Sequence, residues 1–213
     1  MGSWSAGRFT RRWFHVSVAA IVLAGFAPVG AVGQAADPAA RIDSLYGALL
    51  DTMRQAKQLG IKGRYDKLAP ILYKTYDLAG MSRVAVGQSW DVLQPAQQAA
   101  LVDAFSRMTI ATYASEFDGF SGERFEVLQT VDRPGEAKLV KTQIVQSNGK
   151  TVALDYLLRA SGSEWKVVDV YLDGTISQLA GRRAEFGTIL KSGGPDALIS
   201  SLRQKGDKLL AGS

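Results

Sequence analysis

A chain of 213 residues of which 46% are apolar is long enough to bury the core of one domain. Its net charge of +5 gathers at the front: Arg8, Arg11 and Arg12 are the only charged residues before Asp37, and without them 22 basic residues face 20 acidic ones, so no basic block remains to attract nucleic acid. There is no cysteine and the single histidine is His15, so the chain beyond its first residues lacks the groups for a disulfide, a thiol nucleophile, a Ser-His-Asp triad or a His/Cys metal site, and neither cofactor nor metal is expected.

Residues 1–35 read as a secretory signal peptide. Basic residues precede an apolar segment from Val16 to Ala27, Pro28 breaks it, and small residues follow, with cleavage falling between Gly33 and Asp37. That segment is well short of the ~20 residues a bilayer-spanning helix needs. Thr10-Arg11-Arg12-Trp13-Phe14 also fits the front of a twin-arginine signal, with His15 and Val16 departing from it. Either export route ends in the periplasm or outside the cell, and residues 36–213 form a single domain.

From Pro38 to Leu59, Ile42, Leu45, Leu49 and Met53 recur at helical spacing, with Asp37 placed to cap and Gly60 and Gly63 to stop the helix. A second helical pattern carries Leu68, Ile71, Leu72 and Tyr76, and a short one runs from Met81 to Val86. Pro95 opens the longest helix, which sets Leu101, Phe105, Met108 and Tyr113 on or near one stripe and ends near Asp118-Gly119.

The texture then changes to four strands, over 123–131, 138–146, 150–159 and 165–173. A two-residue loop at Asn148-Gly149 places Val145 opposite Val152 and Lys141 opposite Tyr156. A four-residue loop over 160–163 places Leu158 opposite Trp165 and Tyr156 opposite Val167. Alternation then defines two faces. Leu139, Leu154, Tyr156, Leu158, Trp165, Val167 and Tyr171 share one; Val140, Leu157, Val168, Val170 and Leu172 share the other. Both are mostly apolar toward the last strand, so helices or a ligand should cover both sides. Two helices close the chain. Ile176, Leu179, Phe186 and Leu190 gather on the first, and Gly193-Gly194 and Pro195 restart the second.

Gly149-Lys150-Thr151 ends like a phosphate loop, but Ile144 stands where that motif needs glycine, so it reads as a turn. Asp155, Tyr156 and Asp169 interrupt otherwise apolar strands. Tyr156 and Asp169 fall on one predicted face, as a proton-transfer pair would need. The other reading has the carboxylates bonding backbone, or Arg and Lys, at helix ends. The apolar stripes themselves fit either a filled core or a ligand cavity.

The stretch from Val152 to Lys205 resembles the MlaC-type family, the toluene-tolerance auxiliary proteins. The resemblance is carried by Asp155-Tyr156, Trp165-Lys166-Val167, Asp169-Val170, Gly174, Arg182, Phe186, Gly194, Leu198-Ile199 and Leu202. Upstream, Met81, Gly87, Trp90, Phe105 and Tyr113 are similar to the family's central helices, so the likeness runs from about Asp43 to Lys205. Many members carry Asn-Tyr-Arg where this chain has Ala180-Gly181-Arg182, and the run from Asp173 to Phe186 looks closer to the hopanoid-associated HpnM subgroup.

The resemblance implies an α+β fold, a curved antiparallel four-stranded sheet of cystatin or NTF2-like form wrapped by helices around an apolar cavity. It implies no reaction, but a periplasmic shuttle carrying phospholipid or hopanoid between inner- and outer-membrane complexes. The partners would be membrane-anchored lipid-transport complexes of the MCE-domain or RND type. The lining expected from the faces and this resemblance is Leu154, Tyr156, Leu158, Trp165, Val167 and Tyr171, with Leu101, Phe105 and Met108 from the long helix. Two other readings stand beside it: a small NTF2-like enzyme that uses Tyr156 and Asp169 on an apolar substrate, and a structural adaptor with a filled core.

Overall fold

The computed structural model describes residues 37–212, so the signal-peptide reading of residues 1–35 lies outside the described residues. The first helix, α1 (Pro38–Arg54), starts where the Asp37 carboxylate accepts the Ala39 N–H at 3.0 Å. It buries Ile42, Leu45, Leu49 and Met53 as their spacing requires, but stops at Arg54 rather than Leu59. The second, α2 (Ala56–Thr75), is broken at Gly60, whose φ of 60° only glycine adopts readily. Asp77 caps α3 (Leu78–Val86) by accepting the Gly80 N–H, and its own N–H reaches the Val167 carbonyl at 2.9 Å, pinning this junction to the sheet. A 3₁₀ turn (Gly87–Val92) leads to α4 (Pro95–Glu116).

The sheet is a five-stranded antiparallel meander: β1 (Arg124–Arg133), β2 (Ala137–Val145), β3 (Thr151–Ser161), β4 (Glu164–Leu172) and a two-residue β5 (Ile176–Ser177). Ile176 therefore belongs to a strand pairing with Leu172, not to the following helix. Bulges in β1 beside Leu128 and in β4 beside Val168 break the regular pairing and bend those strands.

The register differs from the sequence reading at two points. At the β2–β3 turn Gln146 pairs with Lys150, closing a three-residue loop in which Gly149 alone has positive φ, at 80°. A type I′ turn would need positive φ at Asn148 too. The pairing is consequently Ile144 with Val152 and Val140 with Tyr156, one residue from expectation, and a one-residue slip exchanges the faces of β2. At the β3–β4 turn the loop is Gly162-Ser163, with Gly162 at φ 61°, and Leu158 faces Val167. Beyond the bulge Tyr156 faces Val170, Leu157 faces Asp169 and Asp155 faces Tyr171.

The resulting inner face carries Val140, Tyr156, Leu158, Trp165, Val167 and Val170, and all of these join the main core with the helices. Leu139, Leu157, Tyr171, Asp155 and Asp169 lie on the other face, and none of them enters that cluster. The helical core thus draws on one side of the sheet, not on both. The last helix, α5 (Gln178–Ala211), is interrupted at Gly194 (φ 73°), where the sequence break was expected.

Candidate functional site

Between the inner face of the sheet and three helices lies an open cleft of about 480 Å³, within the ~300–1,000 Å³ common for small-molecule sites. Leu154, Val170 and Leu172 form its sheet wall, while Tyr76 and Met81 come from the pinned junction of α2 with α3. Phe105, Thr109, Thr112, Tyr113 and Glu116 come from α4, with Phe117 just beyond it; Gln178, Leu179 and Arg182 come from the first turns of α5. A groove of the same volume between α4 and the second half of α5 mixes Ala96, Ala100 and Ile199 with Gln97, Asp196, Arg203, Gln204 and Asp207, and is more open to solvent than the cleft.

Two buried carboxylates hold the cleft's walls. Asp169 Oδ1 accepts the Leu179 N–H at 3.1 Å and the Val170 N–H at 2.7 Å, and its Oδ2 accepts the Ser177 hydroxyl at 2.6 Å. Ser177 Oγ in turn accepts the Ala180 N–H, so the start of α5 is fixed to β4. Asp155 accepts the Thr142 N–H at 3.0 Å and ties β3 to β2. Both carboxylates therefore serve backbone groups, the second of the two roles considered above. Tyr156 and Asp169 point to opposite faces of the sheet, which separates the pair that a proton-transfer site would need.

Aromatic rings run along the inner end of the cleft. Tyr76 and Tyr113 meet edge to face with centroids 5.8 Å apart, Tyr113 stacks on Phe117 at 5.5 Å, and Phe117 lies 5.9 Å from Phe125. Phe125 is 4.7 Å from Tyr46, which meets Tyr156 at 5.9 Å. The hydroxyls of Tyr76 and Tyr113 bond to one another, and that of Tyr46 bonds to Thr142 Oγ1, which also reaches the Leu154 carbonyl. Tyr156 is fully buried, and its hydroxyl lies beside those of Tyr46 and Tyr113 without a well-aligned hydrogen bond to either. Burial raises the pKa of all four phenols above the ordinary value, so they stay neutral at any physiological pH. The charged groups of the lining, Glu116 and Arg182, lie on helices, and Arg182 is held by Glu185 at 3.1 Å.

Of the residues named from sequence, Phe105 and Leu154 line the cleft. Leu101, Met108, Tyr156, Leu158 and Val167 are packed in the core beneath it, and Trp165 joins that core near the β3–β4 turn. Tyr171 lies on the other side of the sheet, beside a smaller hollow with Leu139, Leu157 and Arg159. Val170 and Leu172 were concealed by the register slip. On α4 the cleft-facing row is Phe105, Thr109, Thr112, Tyr113 and Glu116, at helical spacing, but two threonines and a carboxylate hide it from an apolar-stripe search.

The family model described as MlaC protein matches residues 43–204. The chain belongs to the MlaC family. A solved structure from Ralstonia solanacearum, described as a phospholipid-binding protein in complex with a phospholipid, is 22% identical; the match covers 82% of this chain and 99% of that one with a TM-score of 0.72. That likeness extends the α+β fold of this MlaC-family chain to an experimentally determined relative. Membership of the MlaC family points to a binding protein rather than an enzyme.

Proposed function

We propose that this protein is a periplasmic lipid-binding shuttle that receives a phospholipid from one membrane-anchored complex and delivers it to another. The observation that carries the reading is the open apolar cleft between α3, α4, α5 and the inner face of the sheet. A filled-core adaptor would have no such space. Each methylene hidden from water stabilises a bound tail by about 0.8 kcal/mol, so an apolar cleft lets an acyl chain cross an aqueous compartment. The charged and polar residues of the lining, Glu116, Gln178 and Arg182, suit a head group left toward solvent. The phospholipid held by the Ralstonia solanacearum relative supports the same cargo class.

A hopanoid is the second cargo to weigh. What favours it is the likeness of the run from Asp173 to Phe186 to the hopanoid-associated subgroup, a run that supplies Gln178, Leu179 and Arg182 to the cleft. A phospholipid points to partner complexes of the MCE-domain type and a hopanoid to the RND type.

Transfer between vesicles tests the shuttle. Donor vesicles carrying a self-quenched fluorescent phospholipid are mixed with unlabelled acceptors, and dequenching is followed as protein is added. A rate that rises in proportion to protein supports the proposal, and a rate indistinguishable from the protein-free exchange rules it out.

A further inference from the structure

The geometry points to a docking surface on the face of the sheet that turns away from the cleft, where Arg133 and Arg159 receive an acidic segment of a protein partner and the hollow between them takes one of its large apolar side chains. This surface stands whatever the cleft carries. Arg133 pairs with Ala137 across β1 and β2, and Arg159 follows Leu158, the partner of the next residue, Lys138. The two arginines therefore flank Ala137, two strand spacings or about 10 Å apart. Both are exposed, and neither forms an ion pair among the described residues. Below them Ala137 and Leu139 are 2% and 4% exposed, and Leu157 and Tyr171 complete a hollow of about 260 Å³. No carboxylate lines it. The two that lie nearby on this face, Asp155 and Asp169, already accept backbone N–H groups.

Three features fix the partner's chemistry. Two guanidiniums without counter-ions call for carboxylates, which they meet in bidentate pairs. The recessed apolar floor calls for a side chain that projects; a flat bilayer surface would reach the arginines and leave Leu139 untouched. The volume lies below the ~300 Å³ at the lower end of small-molecule sites, and suits one side chain of a segment held outside. Arginine and tyrosine are also the residue types that anchor protein interfaces, and acidic segments are read by clustered arginines. Because the hollow and the cleft lie on opposite faces of the sheet, a docked partner leaves the cleft open.

Fluorescein-labelled heptapeptides test this, with Leu, Phe or Trp at the centre and Asp and Glu on both sides; matched peptides carry Lys for each acid, or Gly at the centre. Anisotropy is followed as the full mature protein is added. At least one acidic peptide should bind roughly tenfold more tightly than its Lys counterpart and than its Gly-centred one. With Arg133→Glu and Arg159→Glu combined, the acidic peptides should lose their binding and the Lys peptides gain it. Arg133→Gln with Arg159→Gln should remove the preference without reversing it, and decides the matter if the first variant does not fold. Acidic peptides that bind no better than the Lys peptides, a preference that survives these changes, or Gly-centred peptides that bind equally well overturn the proposal. So does binding to vesicles of equal phosphatidylcholine and phosphatidylglycerol that the charge reversal abolishes while no peptide binds, since the face then meets a membrane. Absence of phospholipid transfer by the unaltered protein strikes the cargo reading alone.

Discussion

Replacing Asp169 with alanine should loosen α5 from the sheet. Its carboxylate accepts from two backbone N–H groups, those of Val170 and Leu179, and from the Ser177 hydroxyl, and Asp169 is only 8% exposed. Ser177 is half-buried and can turn to water, so the main loss is two buried N–H donors at about 1–3 kcal/mol each. A total near 3 kcal/mol should lower the midpoint of thermal unfolding by roughly 6–12 °C for a domain of this size. The first turns of α5 supply Gln178, Leu179 and Arg182 to the cleft, so bound lipid should be lost before the fold is. Asp169→Asn keeps an oxygen for the two N–H groups and should lose less than half as much. Urea and thermal unfolding of both variants measure this. A loss below about 1 kcal/mol for the alanine variant would refute the role given to the carboxylate.

Tyr156→Phe removes a buried hydroxyl that has no well-aligned hydrogen bond, so the lipid-free protein should gain about 1 kcal/mol in urea unfolding; a loss would mean that its contacts with the Tyr46 and Tyr113 hydroxyls stabilise the fold. The four buried phenols also set an alkaline limit. Their folded pKa values lie above the ordinary 10.0, so the unfolded chain releases protons that the folded chain keeps, and stability should hold below pH 10 and fall as pH rises past it. Circular dichroism against pH would show this, and a variant lacking the Tyr76, Tyr113 and Tyr156 hydroxyls should unfold at higher pH. Gly87→Ala forces a side chain onto φ 67° and ψ −140° and brings its Cβ to 3.2 Å from Arg183 Nε, so about 2 kcal/mol should be lost. A neutral result in chemical unfolding would count against the conformation of this turn.

Element types and most of their buried faces were legible in the sequence, because periodicity and glycine or proline punctuation report local structure directly. Ile42, Leu45 and Leu49 are buried as spaced, and the restart at Gly194-Pro195 falls where it was read. What failed was register. Asn148-Gly149 suits more than one hairpin, and the choice of a three-residue loop, in which only Gly149 takes positive φ, moves every residue of β2 to the opposite face relative to β3. The bulge beside Val168 has no local signature and separates Asp169 and Tyr171 from Tyr156. Tyr76 reads as one more apolar position of a helix, although it caps α2 and pairs with Val167 on β4, a contact 91 positions away that no local pattern reports. Of the α4 wall only Phe105 was read, because Thr109, Thr112 and Glu116 interrupt the apolar stripe that helical spacing reports.

The most direct test of the lipid cleft is native mass spectrometry of the exported protein, compared with a Thr109→Trp variant in which an indole occupies the space beside Phe105 and Tyr113. One lipid should be bound to the unaltered protein, and the variant should be empty and unfold at nearly the same temperature. Unaltered protein that arrives empty and takes up no added lipid, or a variant as fully loaded as its parent, would contradict it.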